Sequence, residues 1–433
     1  MGILYSLSDN QNNQHAVPVG GKQAWFVWSF AAMAFGYAFF QRVAPSVMVS
    51  DLMGDFAIGG AVLGTLSALY FYPYVFLQIP LGSLLDVIGT RILLSLAIAF
   101  AAAGSIIFGS ASTIEIAYLG RIMIGIGSSV GFLASLSLTA RWFPVHQFSL
   151  LAGLTMFFGM MSGMLAQAPL ALIIGAFGWR NSMWGLGGFG ILLALLILIF
   201  VRNNPPVSNS VSRNKPAKKT FTQSWSQMKS GLSYATTSLE VWKVAFIAST
   251  MSGPMLALGA LWGTPFLMSA YDIQRPKAAF LVSLLLIGWA VGAPTFGWLT
   301  DRYQHRKRFL TAGCAVLSLC TALMVFLPLP PLWITVMIFI IIGLSGSIMT
   351  ATFAHIRTRT PSEYGGSVTG IVNSMTVASG AVLQPLVGLS LDYMWDGTLL
   401  NGARFYSAVQ FQWSFSIIFL STLIGLILAI RLK

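Results

Sequence analysis

The feature that most constrains this chain is the recurrence of long apolar runs. Stretches such as LSLAIAFAAAGSIIFG, LGGFGILLALLILIF and WITVMIFIIIGLSG belong to segments of about 20 residues, the length at which a helix crosses a hydrocarbon core. Inside a bilayer no water pairs with free backbone N–H and C=O groups, so runs of this length fold as helices whose backbone bonds are internal. Spans are predicted at 24–49, 59–82, 91–112, 115–139, 148–175 and 181–201, then at 241–270, 277–299, 309–328, 331–355, 364–390 and 409–430. Only 8% of the residues are charged, against about 25% in soluble domains. The expected fold is an all-α membrane protein of twelve transmembrane helices.

The net charge of +13 raises the question of nucleic acid, and its placement answers it. With the N-terminus in the cytoplasm, eighteen Lys and Arg fall on the cytoplasmic side, and only Arg180, Arg275, Lys277 and Arg404 fall outside. That bias is the positive-inside rule. The basic charge is therefore a topology signal with anionic-lipid contact as a secondary effect, and no nucleic-acid partner is expected. About 22 polar residues precede the first apolar run, too many for a signal peptide. Both termini are expected in the cytoplasm, most simply of a bacterium, with the spans in its inner membrane. Cys314 and Cys320 share one span on different helix faces and read as packing residues.

Four segments follow: a tail at 1–23, a bundle at 24–202, a linker at 203–239 rich in Ser, Asn, Pro and Lys, and a bundle at 240–433. The linker is expected to carry one surface helix. The two bundles echo each other. GSLLDVIGTR (82–91) and GWLTDRYQHRK (297–307) occupy the same topological position. Each has a glycine (Gly82, Gly297) able to admit close helix approach and an acid four residues on (Asp86, Asp301), followed by basic residues including Arg91 and Arg302. Ordinary charged loops are the plainer reading of either copy alone. Two copies in twelve spans resemble the signature loop of the major facilitator superfamily. RIMIGIG (121–127) and GWRNSMW (178–184) resemble two further elements of that superfamily. The resemblance implies two pseudo-symmetric six-helix bundles rocking about a central site near the midplane, with Gly82, Asp86, Arg91, Gly297, Asp301 and Arg302 at an inner gate. The chain departs from the pattern at Val87, where a basic residue is usual, and at Gln304, which stands where the first copy has Gly89.

In such a carrier the first and fourth spans of each half line the cavity. FFQRVAPSVM (39–48) places Gln41 and Arg42 inside the first apolar run, where a guanidinium costs at least ~2.5–3.5 kcal/mol and cannot escape by losing its proton. Its planar fork suits a carboxylate or phosphate; snorkelling to the headgroups is the alternative. Tyr37 and Gln41 lie one helical turn apart, and Pro45 is expected to loosen the helix beyond them. YAFFQRVAPS also resembles a stretch of organic-anion symporters in which the arginine holds the anion; Gln41 replaces the acid that normally precedes it. Tyr70 and Tyr74 are further binding candidates, or core aromatics. Gln167, Trp262, Asn373 and Gln384 complete the uncharged polar set. LWGTPFL and LQPLVGLSLD look similar to bacterial carriers related to lysosomal dipeptide carriers and to amino-acid carriers. Arg121 is the second buried charge: it takes part in coupling, pairs with Glu115, or caps carbonyls.

None of the eleven acids lies deep in a span. Proton coupling is thus not demanded, although Asp51 or Asp55 could supply it by bending inward. The expected function is a monomeric secondary transporter that takes up an amino acid, dipeptide or organic acid through its carboxylate, with a proton as the one optional co-substrate. A drug-efflux pump is the rival; Gly159 and Gly163 fit its fifth-span element, but Met164 stands where a proline belongs. A non-transporting sensor on the same fold is the alternative of another class. No buried acid or metal-spaced His/Cys set offers catalysis, so neither an enzyme nor a cofactor is expected.

Overall fold

The computed structural model describes residues 20–205, 221–361 and 364–432. The predicted tail up to residue 19 and the linker stretch 206–220 lie outside the described residues, as do Glu363 and the side chains of Asp86 and Asp301. Eleven helical segments among the described residues are long and apolar enough to cross a membrane: Gly60–Gln78, Thr90–Gly109, Ile114–Trp142, Leu150–Phe177, Trp179–Phe200, Leu239–Tyr271, Arg275–Thr300, Arg306–Phe326, Leu332–Arg357, Gly365–Tyr393 and Ala408–Ile430. The twelfth, first in sequence, is the helix Lys22–Val43. Its Lys, Gln, Ser, Tyr, Trp and Arg residues dilute its apolarity, yet it is packed inside the first half against the fourth, fifth and sixth spans. A further helix, Phe221–Thr237, lies in the linker before the seventh span. Alternation of the spans defines two faces: a linker face, and a far face where the first span ends and the second begins.

Several spans are broken where sequence chemistry demands it. Pro45 offers no N–H to continue the first helix, so Ala44–Val47 tightens to a 3-10 turn and the chain resumes as the helix Val49–Phe56. The fifth span divides at Gln167, just before Pro169. The seventh runs as a π-helix over Met255–Trp262, between Pro254 and Gly263. A π segment of this length is rare, and such segments concentrate at functional sites.

The internal repeat is visible in the backbone. Gly89 turns the chain between the second and third spans at φ 88°, ψ 148°, and Gln304, its counterpart between the eighth and ninth, also takes a positive φ, in the left-handed helical region at φ 55°, ψ 10°. A glutamine there costs about 1–2 kcal/mol that glycine does not, so the second loop makes its turn in another backbone well and against the preference of its residue.

Candidate functional site

The far face is sealed where the two halves meet. The second span starts at Gly60 with no side-chain cap of its own, and Asp392 from the end of the eleventh span supplies one. The backbone N–H of Gly60 donates to Asp392 Oδ1 at 2.8 Å and that of Ala61 to Oδ2 at 2.9 Å. An anion at a helix N-terminus satisfies orphan donors and meets the positive end of the helix dipole. Arg404 and the Tyr406 hydroxyl also donate to this carboxylate, at 3.0 and 2.5 Å. Burial, with the Asp392 bond adding to it, raises the Tyr406 phenol above its ordinary value, so it stays a donor. At the same crossing a Cβ on Gly388 would stand 2.0 Å from the Gly60 carbonyl oxygen, so only glycine lets the second and eleventh spans approach this closely. Arg275 clamps both carboxylate oxygens of Asp51, at 2.6 and 3.1 Å.

One layer deeper, Gln167 joins the breaks in three spans. Its amide donates to the carbonyl of Gly259 in the π-helix at 2.7 Å. Its carbonyl accepts from Ser46, beside Pro45, and from Thr264, both at 3.3 Å. The π-helix is also tied to the eleventh span: the Gln384 amide donates to Leu256 O at 2.8 Å, and the Trp262 indole to the backbone carbonyl of Gln384 at 3.0 Å.

Below this seal, from the middle of the molecule toward the linker face, lies a cavity of about 610 Å³. Both halves line it. Phe35, Phe39, Arg42 and Tyr74 come from the first half, and Ser252, Trp289, Thr350, Asn373 and Thr376 from the second. Arg42 is the one charged residue among them. Its guanidinium lies 4.8 Å from the Phe39 ring, 5.1 Å from Tyr74 and 5.5 Å from Tyr70. Rings in this arrangement attract a cation by about 0.5–2 kcal/mol each. Its Nε, buried, has no hydrogen-bond partner, and no described carboxylate stands within ion-pair distance. Arg42 is thus held in the cavity wall and does not reach a membrane face.

The predicted binding residues separate into groups. Arg42, Tyr74 and Asn373 share the cavity, while Tyr70 lies beneath it, its hydroxyl donating to Ala38 O at 2.9 Å. Tyr37 and Gln41 point the other way, into the first half: Gln41 Nε2 donates to Tyr37 Oη at 3.0 Å and to Ser105, and Tyr37 to Leu186 O at 3.2 Å. Gln167, Trp262 and Gln384 belong to the seal and its π-helix. Tyr37, Gln41, Gln167, Trp262 and Gln384 therefore do not line the cavity here: their donors are taken up by backbone and neighbouring side chains, while the side-chain carbonyl oxygens of Gln41 and Gln384 are buried without a partner. Ser252, Thr350, Thr376 and Trp289 escaped the sequence reading; nothing in an unbroken apolar run distinguishes a cavity hydroxyl from one bonded to its own helix.

Of the predicted gating residues, Gly82, Gly297, Arg91, Arg302 and Arg121 can be placed. A Cβ on Gly82 or Gly297 meets no described atom within 4 Å, so neither glycine serves close approach here; that role falls to Gly60 and Gly388 on the sealed face. Arg91 donates to Leu198 O at 2.7 Å, at the end of the sixth span. Arg302 lies over the ring of Trp298, one turn back on its own helix, at 5.5 Å. Arg121, 1% exposed, caps carbonyls and does not pair with Glu115. It donates to Gln41 O at 2.9 Å, Ser67 O at 3.3 Å and Leu66 O at 3.4 Å, the frayed ends of two broken helices. Its guanidinium is 5.3 Å from the Tyr70 ring, so Tyr70 is in reach of both buried arginines. Asp51 is committed to Arg275, and Asp55 accepts from Arg180 and Trp179 at 3.3 and 2.9 Å; neither bends into the cavity.

Two bundles enclosing a cavity at the midplane, sealed at one face, describe a secondary transporter. The family model for the Major Facilitator Superfamily matches residues 30–385 and 264–433, and the chain belongs to that superfamily. It is a multi-pass membrane transporter and not an enzyme. Its curated relatives include a probable sulfoacetate transporter of Cupriavidus necator, 24% identical, covering 84% of this chain and 88% of that protein. A probable galactarate/D-glucarate transporter of Bacillus subtilis is 22% identical over 82% of this chain and 84% of its own length. Among solved structures, an inward-facing, unoccupied bacterial homologue of the human lysosomal transporter Spinster superposes with a TM-score of 0.76 at 15% identity, covering 95% of this chain and 97% of its own. A nucleoside transporter gives 0.70 at 14% identity, covering 93% and 99%. Both share the fold.

Proposed function

We propose that this transporter takes up a small organic anion, held through a carboxylate by Arg42. The observation that carries the reading is a single guanidinium, unpaired by any described acid, in the wall of an otherwise uncharged cavity. Three rings and the hydroxyls of Tyr70 and Tyr74 stabilise the cation, but no described carboxylate neutralises it, which leaves its charge for an anion. The sulfoacetate and galactarate/glucarate relatives, whose named substrates are organic anions, support the same class. The excess of Lys and Arg on the linker face supports a cytoplasmic linker, and the cavity would then be inward-facing. The bundles 24–202 and 240–433 would rock against each other to expose the site at the opposite face, in the manner of repeat-built carriers.

The test is counterflow in proteoliposomes with organic acids, comparing wild type with Arg42→Lys. Lysine keeps the charge and loses the bidentate fork, so uptake is expected to fall more than tenfold while the thermal midpoint holds. Uptake within twofold of wild type would assign Arg42 a structural role and overturn the reading.

A further inference from the structure

The wall opposite Arg42 is richer in chemistry than its composition suggests. Its hydroxyls are already used: Ser252 donates to Ala248 O at 3.0 Å and to Thr376 O at 2.8 Å. Thr376 donates to Val372 O at 2.8 Å, and Thr350 to Ser347 O at 3.1 Å. Asn373 differs. It is half-buried, lines the cavity, and its amide makes no hydrogen bond to any described residue. The next residue, Ser374, donates to Val75 O at 3.2 Å, which fastens this part of the eleventh span beside Tyr74. Tyr74 in turn stacks on Arg42. One guanidinium and one amide without a described partner thus line the same cavity from opposite halves.

Acidic groups are missing from that picture. No Asp or Glu is among the residues lining the cavity. An ammonium group entering with a carboxylate would be stripped of water with no anion to receive it, and Arg42 would repel it. A hydroxyl or keto group carries no such penalty, and an amide can both donate to it and accept from it. We propose that the cavity selects organic acids without an ammonium group, and that Asn373 reads the polar group next to their carboxylate. This rests on the reading of Arg42 as the anion holder and narrows it: amino acids and dipeptides drop out, and 2-hydroxy or 2-keto acids stand first.

The experiment is a thermal-shift titration of the purified full-length carrier with matched acids. Lactate, malate and phenyllactate are set against their 2-amino counterparts alanine, aspartate and phenylalanine, and their deoxy counterparts propionate, succinate and phenylpropionate. Stabilisation reports occupancy. At least one hydroxy acid is expected to bind more than tenfold tighter than its amino counterpart and about fivefold tighter than the deoxy acid, the value of roughly one neutral hydrogen bond. Asn373→Leu should erase the fivefold preference and leave the deoxy acid unchanged. Asn373→Asp should move preference toward the amino acid by at least fivefold, a gain that no folding defect can mimic. A panel in which no hydroxy acid outdoes its amino counterpart overturns the proposal, as does an Asn373→Leu variant that weakens all members equally. Arg42→Gln separates the two readings: if binding survives it, the anion-holder assignment fails; if binding is lost while amino and hydroxy acids bind wild type alike, only the selectivity fails.

Discussion

Replacing Gln167 by leucine should open the far face. Leucine is one atom shorter and apolar, and can neither donate to Gly259 O nor accept from Ser46 and Thr264. Gln167 is fully buried, so in the sealed state all three partners would be stranded without water. The Ser46 bond lies within one half and survives opening, so it cancels between the two states. The bonds to Gly259 and Thr264 cross between halves and are lost when the face opens, where water replaces them. At about 0.5–1.5 kcal/mol net for each, the substitution shifts the equilibrium toward the open state by about 1–3 kcal/mol, or roughly 5- to 150-fold. Spin labels at Ser112→Cys and Gln274→Cys, exposed far-face positions in opposite halves, would report the change once Cys314 and Cys320 are replaced by alanine. The Gln167→Leu distance distribution should gain a long-distance population absent or minor in the parent. An unchanged distribution would mean that the Asp51–Arg275 and Asp392 contacts alone set the balance, and the argument for Gln167 would be refuted.

Three further outcomes follow from the same geometry. Gly82→Leu finds open space in the sealed state, so it should leave ligand affinity within about twofold while slowing transport at least tenfold; a large loss of affinity with unchanged turnover would contradict a gating role. Arg121→Leu strands three carbonyls at helix breaks and should cost more than ~3 kcal/mol of stability, since bonds from a charged donor contribute about 1.5–3 kcal/mol each; lost transport at an unchanged melting temperature would instead make Arg121 a coupling residue. Transport should depend weakly on an imposed pH gradient, because no described acid lines the cavity and Asp51 and Asp55 are held in ion pairs. Many-fold accumulation driven by a pH difference alone would refute that.

The spans were legible in the sequence because the bilayer imposes one length and one composition on every crossing. Predicted and observed bounds agree within a few residues for most spans, as for 91–112 against Thr90–Gly109 and 409–430 against Ala408–Ile430. Side-chain direction was not legible. The first helix is buried on nearly every side from Ala34 to Val43, so hydropathy gives no inward face, and successive residues are turned about 100° apart. Arg42, Phe39 and Phe35 share one face and line the cavity, while Tyr37 and Gln41 share another and enter the bundle. The Asp392 cap was hidden for a different reason. Its partner is a helix end some 330 residues earlier, and the only local hint is that Gly59 offers the second span no side-chain cap.

The make-up of the far-face seal has a consequence for how this carrier can change over generations. Asp392 holds the N–H groups of Gly60 and Ala61, and Gln167 the carbonyl of Gly259; below the seal Tyr72 holds that of Ala381 and Ser374 that of Val75. In each pair one partner is a peptide group, which every substitution except proline at an N–H leaves in place. Such a contact has only one mutable side. Drift in the backbone-contributing residues therefore costs the seal little, provided they stay small enough for close approach. Statistical pairing between columns of homologous sequences should be faint at these contacts and concentrate where both partners are side chains, at Arg275 with Asp51 and Ser50 and at Gln167 with Thr264. A seal nearly silent to covariation would still be held firmly shut.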